Sequence, residues 1–337
     1  MSVKTELEEV GEGCFAYLQL PGVWGYSNSG LIRDGDKGLV VDTLYDPRLA
    51  AQMLGEYRRI AAGASLETVV NTHANGDHCW GNQLFDDAEI ISSEATAGEF
   101  RALSPNAMNT LVRICEVSAS IGAPALGLLR LLGRLGVPRA AALSKAAPFV
   151  AGKFRDFDFG SVTLRPPDRT FCGELELAVG DRRVVLMEVG PAHTRGDVLV
   201  FVPDQRVIYT GDILFEESHP IMWEGPIENW LEACDRILAL DVETVVPGHG
   251  RVTNRTSIQQ LKTYLTELRD AARKAYDAGV SVHDAAYELR GKLMPNWGES
   301  ERLAGNVATL YRQFGDTQAA ADPVEMMAQM AHLAGTH

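Results

Sequence analysis

The chain has 337 residues, of which 46% are apolar, and a formal net charge of −14. That length suits one large domain or two small ones, and the apolar fraction is typical of a globular protein with a sizeable core. The acidic excess argues against a nucleic-acid partner, and no apolar run approaches the roughly 20 residues of a membrane span, which disfavours a membrane partner.

The N-terminal residues and the cysteines bear on the compartment. The first nine residues are mostly charged or polar and lack the apolar segment of a secretory signal. The five cysteines, at positions 14, 79, 115, 172 and 234, are odd in number and scattered, which is typical of reduced thiols rather than of a disulfide framework. We therefore expect a cytoplasmic protein.

The first 95 residues alternate between strand and helix patterns. Strands are predicted over residues 13–20, 29–33, 39–43, 67–71 and 88–92. The turn residues at 34–38 join two of these strands in a hairpin. Apolar residues at helical spacing predict a helix over 47–61, with a proline in its favoured first turn. This alternation indicates a layered α/β domain.

Residues 95–155 interrupt that pattern with apolar, helix-like sequence. We predict two or three helices here, broken at Pro124 and Pro138. Between 100 and 155 stand eight Lys or Arg residues and one acidic residue, Glu116, a local charge of +7. Three interpretations stay open: a basic helical layer neutralised by the acidic body, a lid over a site that receives an apolar or anionic substrate, and an amphipathic membrane-surface helix.

The second half returns to strands and then becomes helical. Residues 171–189 predict two paired strands. Residues 216–226, which include His219, predict a surface loop, with a pocket wall as the alternative. Helices are predicted over 227–240, 257–278, 281–293, 300–314 and 323–333. We therefore expect a catalytic domain over 1–280, with the insertion at about 95–155, and a helical C-terminal extension over 281–337. An apolar, methionine-rich stripe at 326–333 predicts core packing, with a homodimer seam or a pocket wall as alternatives.

The densest group of polar residues follows the strand at 67–71. Six residues there, from His73 to His78, hold two imidazoles, the carboxamide of Asn75 and the carboxylate of Asp77. Burying such a group is costly unless a charge partner or a metal compensates it. Imidazole nitrogen and carboxylate oxygen are ligands that zinc accepts. A polar loop with incidental histidines is the alternative.

Three further strand ends each carry one metal-competent side chain. His193 lies between two apolar runs, Asp212 follows the run at 206–209, and His249 follows the apolar pair at 245–246. Side chains delivered from strand ends to one rim of a sheet form a preorganised site. We therefore predict that these three residues and the first group converge on at least one divalent cation.

With these four segments in this order, residues 12–255 resemble the metallo-β-lactamase superfamily of hydrolases. The resemblance implies an α/β fold, the four-layer αββα sandwich, here with the helical insertion and the helical extension. The metal ligands that it implies are His73 and His193 at the first site, Asp77, His78 and His249 at the second, and Asp212 as the carboxylate that bridges both. It also implies a structural role near the metal for Asp42, for which a turn or helix-capping role is the alternative.

Asn75 departs from the family's first motif, H-x-H-x-D-H, whose second histidine stands at this position. An amide is a much weaker ligand than an imidazole, so the first site would depend on His73, His193 and at best Asn75. We therefore predict one strongly bound Zn²⁺ ion at the second site and a weak or absent one at the first. Asp77 and Asp212 are the predicted catalytic residues, with His193 as an alternative base that activates water.

The resemblance and the predicted site together indicate a zinc-dependent hydrolase. The apolar insertion favours a small, apolar organic substrate with an ester, lactone or related acyl bond. A glyoxalase II-like thioesterase is the alternative enzyme. If Asn75 instead marks a site that has lost catalysis, the chain is a metal-stabilised binding or regulatory protein.

Overall fold

The structure, a computed structural model, describes residues 3–100, 102, 104–137, 139–317, 319 and 322–335. Its first β-sheet contains seven strands arranged in chain order. These are β1 (Lys4–Gly11), β2 (Cys14–Leu20), β3 (Ser29–Asp34), β4 (Lys37–Val41), β5 (Ser65–Val70), β6 (Glu89–Ser93) and β7 (Arg169–Phe171). Neighbours are antiparallel from β1 to β4 and parallel from β4 to β7.

The second β-sheet contains five strands in the order β12-β11-β10-β9-β8. These are β8 (Glu174–Val179), β9 (Arg182–Glu188), β10 (Val198–Val202), β11 (Val207–Tyr209) and β12 (Thr244–Val246). Pairing is antiparallel from β8 to β11, whereas β11 and β12 are parallel. The ends of β9, β11 and β12 therefore reach the same edge of the sheet.

The two sheets pack face to face. Their strands carry apolar residues on the inner face, between the sheets, and on the outer face as well. In β4, Leu39 and Val41 belong to the buried cluster between the sheets, which also contains Val198 and Val200 of β10. The intervening Val40 belongs to the cluster on the other face. Successive side chains of a strand point to opposite faces, so each sheet needs a second layer on its outer side.

Helices supply those outer layers. Helix α1 (Pro47–Ile60) is capped by Asp46, and the hydroxyl of its buried Tyr57 donates to Ser29 on β3. On the other sheet, α7 (Ile227–Ala239) donates from Arg236 to the Glu188 carbonyl, and α8 (Arg255–Asp277) packs on α7. The layers follow the order helix, sheet, sheet, helix, which confirms the predicted fold class.

The insertion consists of α3 (Glu94–Phe100), α4 (Pro105–Ile121), α5 (Ala123–Arg134) and α6 (Ala140–Phe154). The predicted break at Pro124 is wrong: the chain turns at Gly122, whose φ is 74°. Pro124 lies in the first turn of α5, where its missing N–H leaves no hydrogen bond unmade. The other predicted break, Pro138, lies outside the described residues.

The outer part of this insertion exposes apolar side chains. Among the described residues, seven of the eight large hydrophobic side chains that are exposed lie between 114 and 137. None of the 12 residues of α5 is buried. No single helix in the described part of the chain is long and apolar enough to cross a membrane, although α4 and α5, bent by 119° at their junction, reach the required length and composition together.

The predicted C-terminal helices are α9 (Val282–Arg290), α10 (Arg302–Phe314) and α11 (Pro323–Ala334). Ser281 caps α9, with its Oγ accepting from the Asp284 N–H at 3.1 Å. Every residue from 302 to 311 is buried, because α10 packs against α8, α9 and α11. Helix α10 is therefore part of the core, and it reaches the loop beside the candidate site.

Candidate metal centre

Four chain segments meet at the edge where β5, β9, β11 and β12 end. His73 and His78 follow β5, the latter on the short helix α2 (Gly76–Cys79), while His193, Asp212 and His249 follow the other three strands. All five side chains are buried. The parallel direction of β9, β11 and β12 explains why segments distant in sequence end at one place.

Three of the histidines are oriented by hydrogen bonds at Nδ1. The Nδ1 partners are Asp42 Oδ2 at 2.8 Å for His78, the Ile221 carbonyl at 2.6 Å for His193, and the Tyr26 carbonyl at 3.1 Å for His249. Because these oxygens accept hydrogen bonds, each Nδ1 carries a proton, and Nε2 has a lone pair whenever the ring is neutral. This is how proteins usually orient histidines that bind metals.

The Asp212 carboxylate lies at the centre of the imidazoles. Its oxygens are 3.1 Å from His78 Nε2, 3.3 Å from His193 Nε2, 3.4 Å from His249 Nε2 and 3.7 Å from His73 Nε2. Asp77 Oδ2 joins the group at 3.4 Å from His249 Nε2. Four imidazoles and two carboxylates therefore face one small volume.

Burial and charge set the protonation of these groups. Burial lowers the pKa of His73 and of His193, which keeps both rings neutral at pH 7. Burial also acts to lower the pKa of His78, but the Asp212 and Asp42 carboxylates outweigh it and raise that pKa well above its usual range. Conversely, burial acts to raise the pKa of Asp212, whereas His78 and His249 hold it well below its usual range. Without a metal, the charged Asp212 carboxylate therefore lies beside a protonated His78 and the neutral rings of His73 and His193.

Unpartnered atoms show that a cation fits here. Among the described residues, His73 Nε2, His78 Nε2 and Asp212 Oδ1 are buried and make no hydrogen bond, since the 3.1 Å approach of the last two lacks hydrogen-bond geometry. A cation would satisfy all three atoms, whose burial is otherwise costly. The groups with ligand atoms within 4.8 Å of one another are His73, His78 and Asp212, and Asp77, His78 and His249. Nitrogen and oxygen donors of this kind suit zinc.

Asn75, the seventh predicted ligand, lies beside His193. Its Nδ2 is 3.0 Å from His193 Nε2. Because His193 Nδ1 donates to the Ile221 carbonyl, Nε2 is an acceptor, and the Asn75 amide donates to the lone pair that a first-site metal would use. This contact supports the prediction that the first site binds metal weakly, which stays a prediction.

Glycine lets two of the segments approach each other. A Cβ at Gly248 would lie 2.0 Å from Asp212 Oδ1, so any other residue before His249 would displace the central carboxylate. Gly211, with a φ of 50°, places its backbone against Thr72, where a Cβ would be 2.6 Å from the hydroxyl oxygen. The glycines of the two strand-end motifs are therefore required by close packing around the site.

Asp42 performs the structural role that the family resemblance implies. Its carboxylate accepts from the Thr72 N–H at 2.8 Å and from the Thr72 hydroxyl at 2.7 Å, and it holds His78 Nδ1. The side chain is buried. These contacts connect the end of β4 to the metal-binding turn, and none of them caps a helix.

A cavity of about 530 Å³ opens over the centre. Asp77, Asp212 and His249 lie in its lining, and most of the remaining wall is apolar. That wall includes Trp24, Tyr45, Trp80, Met108, Leu111, Phe154, Phe215 and Trp223. Met108 and Leu111 belong to the first turns of α4, which supports the lid interpretation of the insertion. The wall also contains Arg302 of α10, a charged residue that no sequence motif indicates.

His219, in the loop after Asp212, is buried, so the predicted surface loop is wrong at this residue. Its side chain is fully buried, and its Nδ1 lies 3.1 Å from the Tyr264 hydroxyl. Burial, together with the nearby Arg302 charge, lowers the pKa of His219 to about 4, so the ring is neutral. Helices α8 and α10 cover this loop, and their contribution has no signature in the loop's own sequence.

Helix α10 holds the backbone that orients His193. Asn306 donates from Nδ2 to the Pro220 carbonyl and accepts at Oδ1 from the Met222 N–H, both at 2.8 Å. Between those two residues lies Ile221, whose carbonyl accepts from His193 Nδ1. The Thr309 hydroxyl donates to the Met222 carbonyl at 2.9 Å. One helix thus positions a candidate ligand without touching it.

We expect Asn306→Ala to weaken both folding and metal binding. The substitution leaves the buried Met222 N–H without an acceptor, which should lower the free energy of unfolding by about 2 kcal/mol, and it frees the Ile221 carbonyl, which should weaken metal affinity about tenfold. Urea denaturation and competition with a chelator measure the two effects. The matched control is Asn229→Ala, whose amide binds the Pro191 carbonyl at a more exposed position. Wild-type metal affinity in Asn306→Ala would contradict the positioning role.

The family profile described as Metallo-beta-lactamase superfamily matches residues 22–249, which is more than half of the 337 residues. The chain belongs to the metallo-beta-lactamase superfamily. The resemblance drawn from the four strand-end motifs is therefore confirmed. The match also ends at His249, so residues 281–337 of this superfamily member lie beyond the matched span.

Among relatives of this superfamily chain, the acyl-coenzyme A thioesterase MBLAC2 of Gallus gallus is 25% identical over 237 residues, 66% of this chain and 72% of the relative. The alpha subunit of 2,4-dinitroanisole O-demethylase from Nocardioides sp. (strain JS1661) is 31% identical over 123 residues, 36% of this chain, and the match spans 38% of that subunit. The sec-alkylsulfatase Pisa1 from Pseudomonas sp. has a TM-score of 0.62 at 16% identity, over 95% of this chain and 52% of the sulfatase. This last likeness shows the fold alone. The superfamily and the thioesterase are hydrolases.

Proposed function

We propose that the chain is a zinc-dependent hydrolase that cleaves an ester, lactone or related acyl bond of a small, mainly apolar substrate. The observation that carries this proposal is the convergence of four imidazoles and two carboxylates beneath a mostly apolar cavity. Superfamily membership supports hydrolysis, and the aromatic walls support an organic acyl substrate.

The side chains of the site have different roles in the proposed hydrolysis. A bound zinc ion supplies water of lowered pKa, about 7, and polarises an acyl oxygen. Asp212 contacts all four imidazoles and is 3% exposed, so it holds the donor set together. Asp77 is 14% exposed and lines the cavity, so it is the carboxylate that can accept a proton from the attacking water. The apolar walls exclude bulk water and bind the organic part of the substrate.

A thioester is the second candidate substrate. The chain shares 25% identity over two thirds of its length with a protein named as an acyl-coenzyme A thioesterase. Hydrolysis of a thioester would use the same groups, because the acyl carbonyl is attacked in the same way and only the leaving group differs. The apolar cavity walls suit the acyl chain of either substrate.

The test is hydrolysis of 4-nitrophenyl butyrate, a short-chain lactone and butyryl-coenzyme A before and after chelation. Zinc returned to the dialysed protein should restore turnover, and Asp77→Ala should lower it at least a hundredfold, within the range typical of a general base. Turnover that survives Asp77→Ala would place the activity elsewhere. Preference for the thioester would favour the second candidate. No turnover, with metal bound and the fold intact, would favour a binding or regulatory protein.

A further inference from the structure

Helix α10 places a buried guanidinium in the wall of the cavity. Arg302, the first residue of α10, is 1% exposed and lines the cavity above the metal centre. Its Cζ lies 4.7 Å from the centroid of the Trp24 ring and 4.9 Å from that of the Phe215 ring. Two aromatic rings therefore hold the guanidinium in place by cation–π contact.

The hydrogen bonds of this guanidinium leave one edge unused. Nη1 donates to the His219 carbonyl at 3.0 Å. Nε is buried and has no partner among the described residues, and Nη2 donates to none of them either. In a guanidinium, the Nε–H and Nη2–H bonds point in parallel and match the two oxygens of a carboxylate. The free edge of Arg302 is thus a two-donor fork.

The protein does not neutralise this charge directly. The two nearby carboxylates, Glu299 and Glu301, both bind Lys153, at 2.9 Å and 3.1 Å. No described carboxylate lies within 4 Å of the Arg302 guanidinium. The adjacent His219 is held neutral by burial. A buried cation without an ion-pair partner is costly, and binding of an anion offsets that cost.

We propose that Arg302 is a specificity-determining residue that binds a carboxylate group of the substrate. This role rests on the proposed function and adds a carboxylate to the acyl substrate. The Phe215 ring contacts the Arg302 guanidinium and stacks on the His249 imidazole with a centroid distance of 5.0 Å. One aromatic ring therefore separates the anion fork from the metal centre. The substrate is an acyl compound whose carboxylate lies a short apolar segment away from the bond that is hydrolysed.

The test uses hexanoate and its neutral isostere hexanamide as probes. Neither is an ester, so calorimetric binding is independent of whether the proposed hydrolysis occurs. Each probe is titrated into metal-loaded wild type, Arg302→Gln and Arg302→Lys. We expect Arg302→Gln to weaken hexanoate binding about tenfold or more, the usual scale of a charge-assisted hydrogen bond. Hexanamide binding should change less than about twofold, and Arg302→Lys should fall between wild type and Arg302→Gln because it keeps the charge and loses the fork.

The outcomes separate a binding role from a structural one. A purely structural Arg302 would affect both probes equally, and that result would overturn the proposal. Since hexanoate also has affinity for a bound metal, the wild-type titrations are repeated after chelation, where hexanoate should still bind more tightly than hexanamide. Equal binding of the two probes to the chelated wild type overturns the proposal even if neither variant folds. If the wild type hydrolyses none of the acyl substrates but still binds hexanoate more tightly than hexanamide, the result counts against the proposed function alone.

Discussion

Replacement of Asp212 by alanine should remove tight metal binding. Asp212 lies 3.1 to 3.7 Å from all four imidazoles, and its Oδ1 is buried without a hydrogen bond. Loss of an outer contact to a metal ligand costs ten- to a hundredfold in affinity, so loss of this central carboxylate should cost at least about a hundredfold. At saturating metal, that loss corresponds to about 2.7 kcal/mol of folding stability. Chelator competition and thermal unfolding with added zinc measure the two effects.

Two control variants test whether the effect depends on the Asp212 charge and on this position in the structure. Asp212→Asn keeps the side-chain shape and removes the charge, so its metal affinity should also fall, and its fold should be perturbed less than in Asp212→Ala. Asp241→Ala removes a carboxylate that is 78% exposed and pairs with Arg206. This variant should leave metal affinity unchanged. Wild-type affinity in Asp212→Ala would show that the cation binds elsewhere.

Replacement of Asn75 by histidine should add a second tightly held metal ion. In the wild type, the Asn75 amide donates to His193 Nε2 and so competes with a cation for that lone pair. We expect elemental analysis after extensive dialysis to find about one zinc per wild-type chain and about two per Asn75→His chain, because imidazole is a far stronger zinc ligand than an amide. The gain in affinity at the first site should be about a hundredfold.

The control for this gain is Asn75→Ala. It removes the competing amide without supplying a ligand, so it should still bind about one tightly held ion. Two tightly held ions in the wild type would refute the prediction of one strong site. One ion in Asn75→His would show that His73 and His193 do not form a site even with a third imidazole.

Strands could be predicted from the sequence where their side chains are buried on both faces of the sheet. Strand β4 alternates between the two buried clusters, and its apolar run is a local signal. Strand β1 was missed because it is an edge strand with no fully buried residue and a charged sequence. Its position depends on hydrogen bonds to β2, which supply the partner that its own side chains do not indicate.

The candidate ligands were predictable for a related reason. Each lies within a few residues of the end of an apolar strand, so the strand pattern and the polar residue appear together in the sequence. The buried state of His219 was not predictable, because residues of α8 and α10 cover it from about 45 and 83 positions away.

The sequence alone determined the layered fold, the candidate ligand residues and the departure at Asn75, because strand periodicity and strand-end residues are local features. Only the tertiary structure decided which Nδ1 partner orients each histidine, how α10 holds the loop at 220–222, and that Arg302 lines the cavity with its Nε unpartnered among the described residues. Those features join residues that are far apart in the chain. Their energies come from burial and hydrogen-bond geometry, which exist only once the helices have packed.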